Sequence, residues 1–235
     1  MLKTILQSQA YFGRGMIVGK SANAKEAFLV YFLMGRSENS QNRLFYTQDQ
    51  NVCIKAFDEK LIQDPSLIFY PPLVHFESQV ILSNGDQTQS ILEYLQKNQS
   101  FEEALRMREF EPDSPHFTPR ISALLSFENG DFSYKMSLLK ASSVQAPRCY
   151  RFFYEYPSIQ GEGHFLHTYN ADANPLPSFV GEPKSVKIMG SLEDFASCVW
   201  ENLNSQYKVA LCAQSIDLFT QETKTLIFNA KEVQC

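Results

Sequence analysis

The sequence predicts an α+β protein folded as a four-layer α-β-β-α sandwich. Three observations carry that expectation. Six short strand-like runs come first, then two helical segments, three more strand runs, one last helix and a closing pair of strands. Hydrophobic residues make up 44% of the chain, with 19 Phe and 11 Tyr, which is enough for a substantial core and excludes global disorder. The strand runs fall into two aromatic groups, which suits two stacked sheets whose outer faces need helices to cover them. At 235 residues, with no repeat, low-complexity block or long linker, the chain reads as one domain, 1–235.

Each element follows from local pattern. Arg14 to Val18 is a short apolar strand, and Phe28 to Met34 is apolar throughout, as in a strand buried on both faces. Strands at 43–47, 52–57, 67–70 and 79–82 follow between polar turns. Pro71 and Pro72 interrupt any ladder because neither donates a backbone hydrogen bond. The period then changes. Ile91, Leu92 and Leu95 share one face of a helix over 88–98. Ser100-Phe-Glu-Glu103 is a capping box that opens a second helix over 101–110, ending before Pro112. Strands at 121–127 and 132–139 flank Glu-Asn-Gly-Asp, a hairpin turn, and 151–156 is a further aromatic strand. The Gly-, Pro- and Asn-rich stretch 158–184 reads as a long surface excursion. Ser191-Leu-Glu-Asp194 opens a helix over 191–203, and strands at 207–212 and 223–228 close the sheet.

Charge and cysteines narrow the class. With 26 acidic and 21 basic residues the formal net charge is −5, which argues against non-specific nucleic-acid binding, since that needs a basic face. A small anion gripped by local arginines remains compatible with it. The longest apolar run, Ala27 to Met34, is far short of a membrane span, and the first ten residues lack the apolar core of a signal peptide. The five cysteines are scattered without a CxxC pair and read as reduced thiols. A soluble, cytoplasmic protein is the expectation.

Several segments have the residue types that chemistry needs. Gly13-Arg-Gly-Met-Ile-Val-Gly19 has the wrong spacing for a dinucleotide fingerprint and no preceding strand, so it reads as a tight entry into the first strand. Met34 to Arg43 places Arg36 and Arg43 in a polar, turn-forming segment. Guanidinium forks there suit phosphate or a developing oxyanion, and a solvated loop is the alternative. Ser83-Asn84-Gly85 lies between a strand and a helix, where Gly85 allows close backbone approach and free amides attract anions; an ordinary turn would look the same. In the segment from Phe110 to Arg120 three prolines hold Glu111, Asp113, Thr118 and Arg120 in defined directions, as a site or a structural crossing would require. Glu162, His164 and His167 form E-x-H-x-x-H, a weak metal pattern without a helix to fix its spacing.

Taken in order, these segments resemble the archaeal-type IMP cyclohydrolases. The resemblance runs from Gly13-Arg-Gly, through Gly-Arg36-Ser with Asn42-Arg43, Ile68-Phe-Tyr70 and Ser83-Asn-Gly85, to Glu111-Pro-Asp and Thr118-Pro-Arg-Ile121, over about the first half of the chain. It implies the four-layer fold of the N-terminal-nucleophile hydrolases and ring closure of 5-formamidoimidazole-4-carboxamide ribotide to inosine monophosphate with loss of water. It implies no cofactor and no metal. Arg43, Tyr70 and Glu111 match the family's reacting centre, and Arg36, Asn84, Gly85, Thr118 and Arg120 are candidates for holding the purine ribonucleotide substrate. The expected partners are that small molecule and, in a homo-oligomer, copies of the chain. The chain departs from the family at Gln87, where a His is expected, and no Cys, Ser or Thr follows Met1. The rival readings are a related cyclohydrolase or amidohydrolase acting on another amide, and a non-catalytic purine-nucleotide-binding protein.

Overall fold

The computed structural model describes residues 2–61 and 70–231. Within them two antiparallel sheets are stacked. The first has the strand order β11 (Lys184–Lys187), β10 (Glu162–His167), β1 (Arg14–Lys20), β2 (Glu26–Met34), β12 (Lys208–Asp217), β13 (Thr223–Asn229). The second runs in sequence order: β3 (Arg43–Gln48), β4 (Asn51–Ala56), β5 (Leu73–Phe76), β6 (Gln79–Ser83), β7 (Arg120–Glu128), β8 (Asp131–Ala141), β9 (Cys149–Pro157).

Strand β2 explains the layering. Alternate residues of a strand point to opposite faces, so an unbroken apolar run needs cover on both sides. Leu29, Tyr31 and Leu33 point into the core between the sheets, where they meet Leu82 of β6 and Ala123 and Leu125 of β7. Phe28, Val30 and Phe32 point the other way, into a core closed by α1 (Leu2–Leu6) and α5 (Leu192–Asn202). On the far side Val74, Ile81 and Leu124 of the second sheet are covered by α3 (Gln87–Gln96) and α4 (Phe101–Arg106). The short helix α2 (Glu38–Gln41) leads from β2 toward β3. Helix layer, sheet, sheet, helix layer is the arrangement the element order implied.

The capping box expected at Ser100 forms, and the helix expected to open at Ser191 begins with one too. Ser100 and Ser191 each accept from the backbone amide three residues on, and the Glu103 and Asp194 side chains reach back to the capping residues. Each cap contributes about 1 kcal/mol. Phe101, buried at the first turn of α4, holds that helix to β7 and to Phe153 of β9. Phe101→Ala is therefore expected to lower unfolding free energy by about 3–5 kcal/mol, read from a denaturant melt.

The structure corrects the sequence reading in several places. The helix expected over 101–110 ends at Arg106, because Met107 is already the cap and residues 108–110 turn toward the Glu111 loop. The helices over 88–98 and 191–203 are Gln87–Gln96 and Leu192–Asn202. Strand 67–70 lies outside the described residues except for Tyr70. Segment 158–184 is not simply a surface excursion: β10 pairs along β1 from Gly15↔His167 to Gly19↔Gly163, and Phe179 is fully buried between the sheets. Short strands at β5 and β11 and the terminal α1 also went unread. Among the described residues no helix is long and apolar enough to cross a membrane.

Candidate active site

Register brings the chemistry-bearing residues to one end of the sandwich. In the first sheet, β1 begins at Arg14 beside Leu33 near the end of β2, and β10 ends at His167 beside Gly15. In the second, β3 begins at Arg43, and β6 ends at Ser83 opposite Ser122 near the start of β7. Cross-sheet contacts tie these ends together. The Tyr31 hydroxyl of β2 lies 2.9 Å from that of Tyr70, and the Thr118 hydroxyl lies 2.6 Å from that of Tyr169.

Arg14 is held between two glycines for steric reasons. Gly13 has φ +73°, and a side chain there would run into Thr168 and the Tyr169 ring; one at Gly15 would run into Phe32. The Arg14 guanidinium donates to the Met34 carbonyl at 3.1 Å. Burial opposes its charge, but Tyr11, Tyr70, Tyr31 and Glu111 around it outweigh that and raise its pKa. Arg43 is buried, with Nε donating to the Ser40 carbonyl at 3.0 Å. Burial, then the Arg14 charge, pushes its pKa down to about 10, so both arginines remain cationic at neutral pH. Burial and Tyr70 push the Tyr31 phenol well above its ordinary range.

Glu111 is held by a closed loop. Its amide donates to the Thr118 carbonyl at 2.9 Å, and the Thr118 amide donates to Asp113 Oδ1 at 2.6 Å. The Thr118 hydroxyl donates to the other Asp113 oxygen, and the Phe110 and Phe117 rings pack edge to face. Burial pushes the Glu111 carboxyl up to about 7, against the pull of Arg14, Arg120 and Arg43, with Asp113 adding to the rise. A half-buried carboxyl near neutrality among three guanidinium groups can give or take a proton at physiological pH.

Gly85 and Arg120 lie beside Glu111. A Cβ on Gly85 would lie 2.6 Å from Gln87 Oε1, 2.7 Å from Arg120 Nη1 and 3.4 Å from Glu111 Oε1. A side chain at Gly85 would have to displace the Gln87 and Arg120 side-chain ends that converge there. Arg120 donates to Asp86 at 2.5 Å and to Gln87 at 2.7 Å, while its buried Nε has no partner among the described residues. Burial raises the Asp86 pKa, but Arg108 and Arg120 outweigh this and hold it below the usual carboxylate range.

The other sequence candidates sit around this centre in different ways. Asn84 turns inward: its Nδ2 donates to the Pro119 carbonyl, and its Oδ1 accepts from Gln87 and from the Ile121 amide. Thr118 is engaged by Asp113 and Tyr169. Both therefore position β6, α3 and the Glu111 loop. Arg36 is at the rim, donating to Asp172 and to the Ala173 carbonyl at 2.9 Å and lying over the Tyr11 ring. Of the Ile68-Phe-Tyr70 motif only Tyr70 is described. The residues of E-x-H-x-x-H diverge: Glu162 pairs with Lys187, His164 engages the Tyr134 hydroxyl, and His167 packs among Phe12, Phe165 and Phe179.

A family profile described as IMP cyclohydrolase-like protein matches residues 11–222. The chain belongs to the IMP cyclohydrolase-like family. The match extends well past the first half of the chain and includes the 158–184 segment, whose Tyr169 and Asp172 buttress Thr118 and Arg36. No curated protein matches the chain.

Sequence reasoning missed several residues of this candidate site. Arg14, whose charge acts on Tyr11, Tyr70, Tyr31 and Glu111, lies in the Gly13-Arg-Gly motif of the resemblance but is not among the site residues the sequence suggests. Its signal was a lone arginine between two glycines opening an otherwise apolar strand. Gln87, read as a departure, is the buried acceptor that fixes Arg120. Tyr31 lies in a strand that the sequence marks only as buried, Tyr169 in the stretch it marks as a surface excursion, and nothing in the pattern singles out Tyr11.

Proposed function

We propose that this member of the IMP cyclohydrolase-like family closes the ring of 5-formamidoimidazole-4-carboxamide ribotide to inosine monophosphate. The observation that carries the reading is Glu111, a carboxyl with a pKa of about 7 fixed by its own loop and faced by Arg14, Arg43 and Arg120.

Ring closure makes matching demands. The carboxamide nitrogen attacks the formyl carbon and gives up one proton, while the formyl oxygen takes on charge. Glu111 accepts that proton, and the guanidinium of Arg43, backed by Arg14, stabilises the oxygen. The oxygen is protonated to a hydroxyl, which then leaves as water with the proton of the former formamido nitrogen. Tyr70, whose hydroxyl is aligned by Tyr31, donates to the departing oxygen, and Glu111 returns its proton in the same turnover. Holding both groups of one substrate in contact supplies much of the rate enhancement. In this reading Arg120, fixed by Asp86 and Gln87 beside Gly85, takes the base edge, and Arg36, paired with Asp172, takes the ribotide phosphate. The fold relation to the N-terminal-nucleophile hydrolases belongs to this same reading.

The test is incubation with the formylated ribotide in the presence of a metal chelator, following inosine monophosphate by absorbance. Turnover is expected. Tight binding of the ribotide without turnover favours the non-catalytic nucleotide-binding reading, and neither binding nor turnover favours another amide. Tyr70→Phe removes only the hydroxyl and is expected to lower kcat about tenfold to a hundredfold with KM little changed, measured in the same assay.

A further inference from the structure

The two sheets have four edges, and three are closed in identifiable ways. At β3 the Phe45 amide donates to Asn229 Oδ1 at 2.9 Å, and Asn229 Nδ2 donates back to the Phe45 carbonyl at 3.1 Å. The same asparagine ties down the end of β13, which also carries Lys224, paired with Glu193. Strand β11 has four residues with a lysine at each end. Short length, lysine and side-chain capping are the usual ways of blocking strand addition.

Strand β9 has none of these. It is nine residues long, has β8 as its one strand partner among the described residues, and is free of lysine. Tyr150 is 53% exposed and Phe152 is 38% exposed. Its sequence, Tyr150-Arg-Phe-Phe-Tyr-Glu-Tyr156, is self-complementary about Phe153. In an antiparallel pairing with a second copy, Arg151 faces Glu155 of the other chain, twice by symmetry. Phe152 then faces Tyr154, and Tyr150 faces Tyr156. Opposite charges and aromatic pairs directly across a ladder are favourable, and a two-fold interface requires this reciprocity.

Arg151 is held in place by its own chain, and in the pair it would share its charge between Glu109 and the partner's carboxylate. Its Nη2 donates to the Arg108 carbonyl at 2.7 Å, and Glu109 lies 3.9 Å away, exposed to solvent. Glu155 lies opposite Lys135 in the β8 register, but that lysine is taken by Glu102 at 2.7 Å. Glu155 has no salt bridge among the described residues.

We propose that β9 is a self-association edge, at which two copies of this chain pair antiparallel about Phe153 and join their seven-stranded sheets into one. The occupant is a second copy because the charge pattern is complementary to itself.

The experiment is light scattering coupled to gel filtration on the full chain, across a concentration series. Wild type is expected to run at twice its 26.9 kDa mass. Glu155→Arg places like charges opposite each other and is expected to weaken association about tenfold or more. The double variant Arg151→Glu with Glu155→Arg restores opposite charges and is expected to restore the dimer. Slow hydrogen exchange along both edges of β9 in the wild type, lost in Glu155→Arg, provides a second readout. A monomer at every concentration, or a dimer indifferent to Glu155→Arg, overturns the proposal.

Discussion

Glu111→Gln is expected to lower kcat for ring closure by roughly 10²–10⁴-fold while leaving ribotide binding nearly unchanged. The amide keeps the shape and hydrogen-bonding reach of the carboxyl but cannot take a proton. Its loop is held by the Glu111–Thr118 backbone bond and by Asp113, neither of which the substitution touches. A second, opposite effect follows from linkage. The folded pKa, about 7, lies above the unfolded value of about 4.3, so the protonated form is favoured by folding. The resulting stability is fully present below the unfolded pKa and is lost as pH rises through the folded pKa. At pH 8 the wild type therefore has an ionised carboxylate that burial opposes, and the glutamine variant does not. Glu111→Gln should melt higher than wild type at pH 8, by on the order of 1–3 kcal/mol, with the difference shrinking toward pH 4. Loss of activity with gain of stability distinguishes a functional carboxyl from a structural one.

Arg14→Ala is expected to cut kcat/KM by about 10²–10³-fold, on the scale of removing one donor from a charge-stabilising site. It also has a signature beyond the rate. Among the charges that pull the Glu111 pKa down, Arg14 ranks first. Without it the carboxyl should titrate above 7, and the ascending limb of the pH–rate profile should move up with it. The same loss relieves Arg43, whose pKa Arg14 depresses. A merely structural Arg14 would lower activity without moving the limb. Comparing Arg14→Ala with Arg14→Lys separates charge from the planar fork, since lysine restores only the former.

Strong local signals were legible in the sequence. β2 could be read because a strand covered on both faces must be apolar at every position. The helices at Ser100 and Ser191 could be read because a capping box fixes a start by hydrogen bonding. Their ends were less clear, since α4 stops where the chain turns into the Glu111 loop, for tertiary reasons. β10 was missed because Gly163, His164 and His167 interrupt any apolar alternation, and its place depends on pairing with β1, more than 140 residues earlier.

The candidate site was legible where residue type alone is informative. Glu111 among prolines and Arg43 after a polar turn could be found by pattern and resemblance, and the structure places Glu111, Gly85 and Arg120 together. The surrounding tyrosines could not be found that way. Tyr11, Tyr31 and Tyr169 become part of the site only because two sheets bring β1, β2 and β10 against β3 and the Glu111 loop. Asn84 and Thr118 show the converse. Their polar atoms looked available in the sequence and are taken up inside the fold.

The central claim is that the Glu111 carboxyl carries the proton of ring closure. It is tested most directly by the pH dependence of kcat/KM for the formylated ribotide, measured from pH 5 to 9 on wild type and Arg14→Ala. The prediction is a limb rising with pH through about 7 in the wild type, displaced upward in Arg14→Ala. A rate that is flat across this range, or a limb near the ordinary carboxylate value of about 4.3 that Arg14→Ala leaves in place, would contradict it.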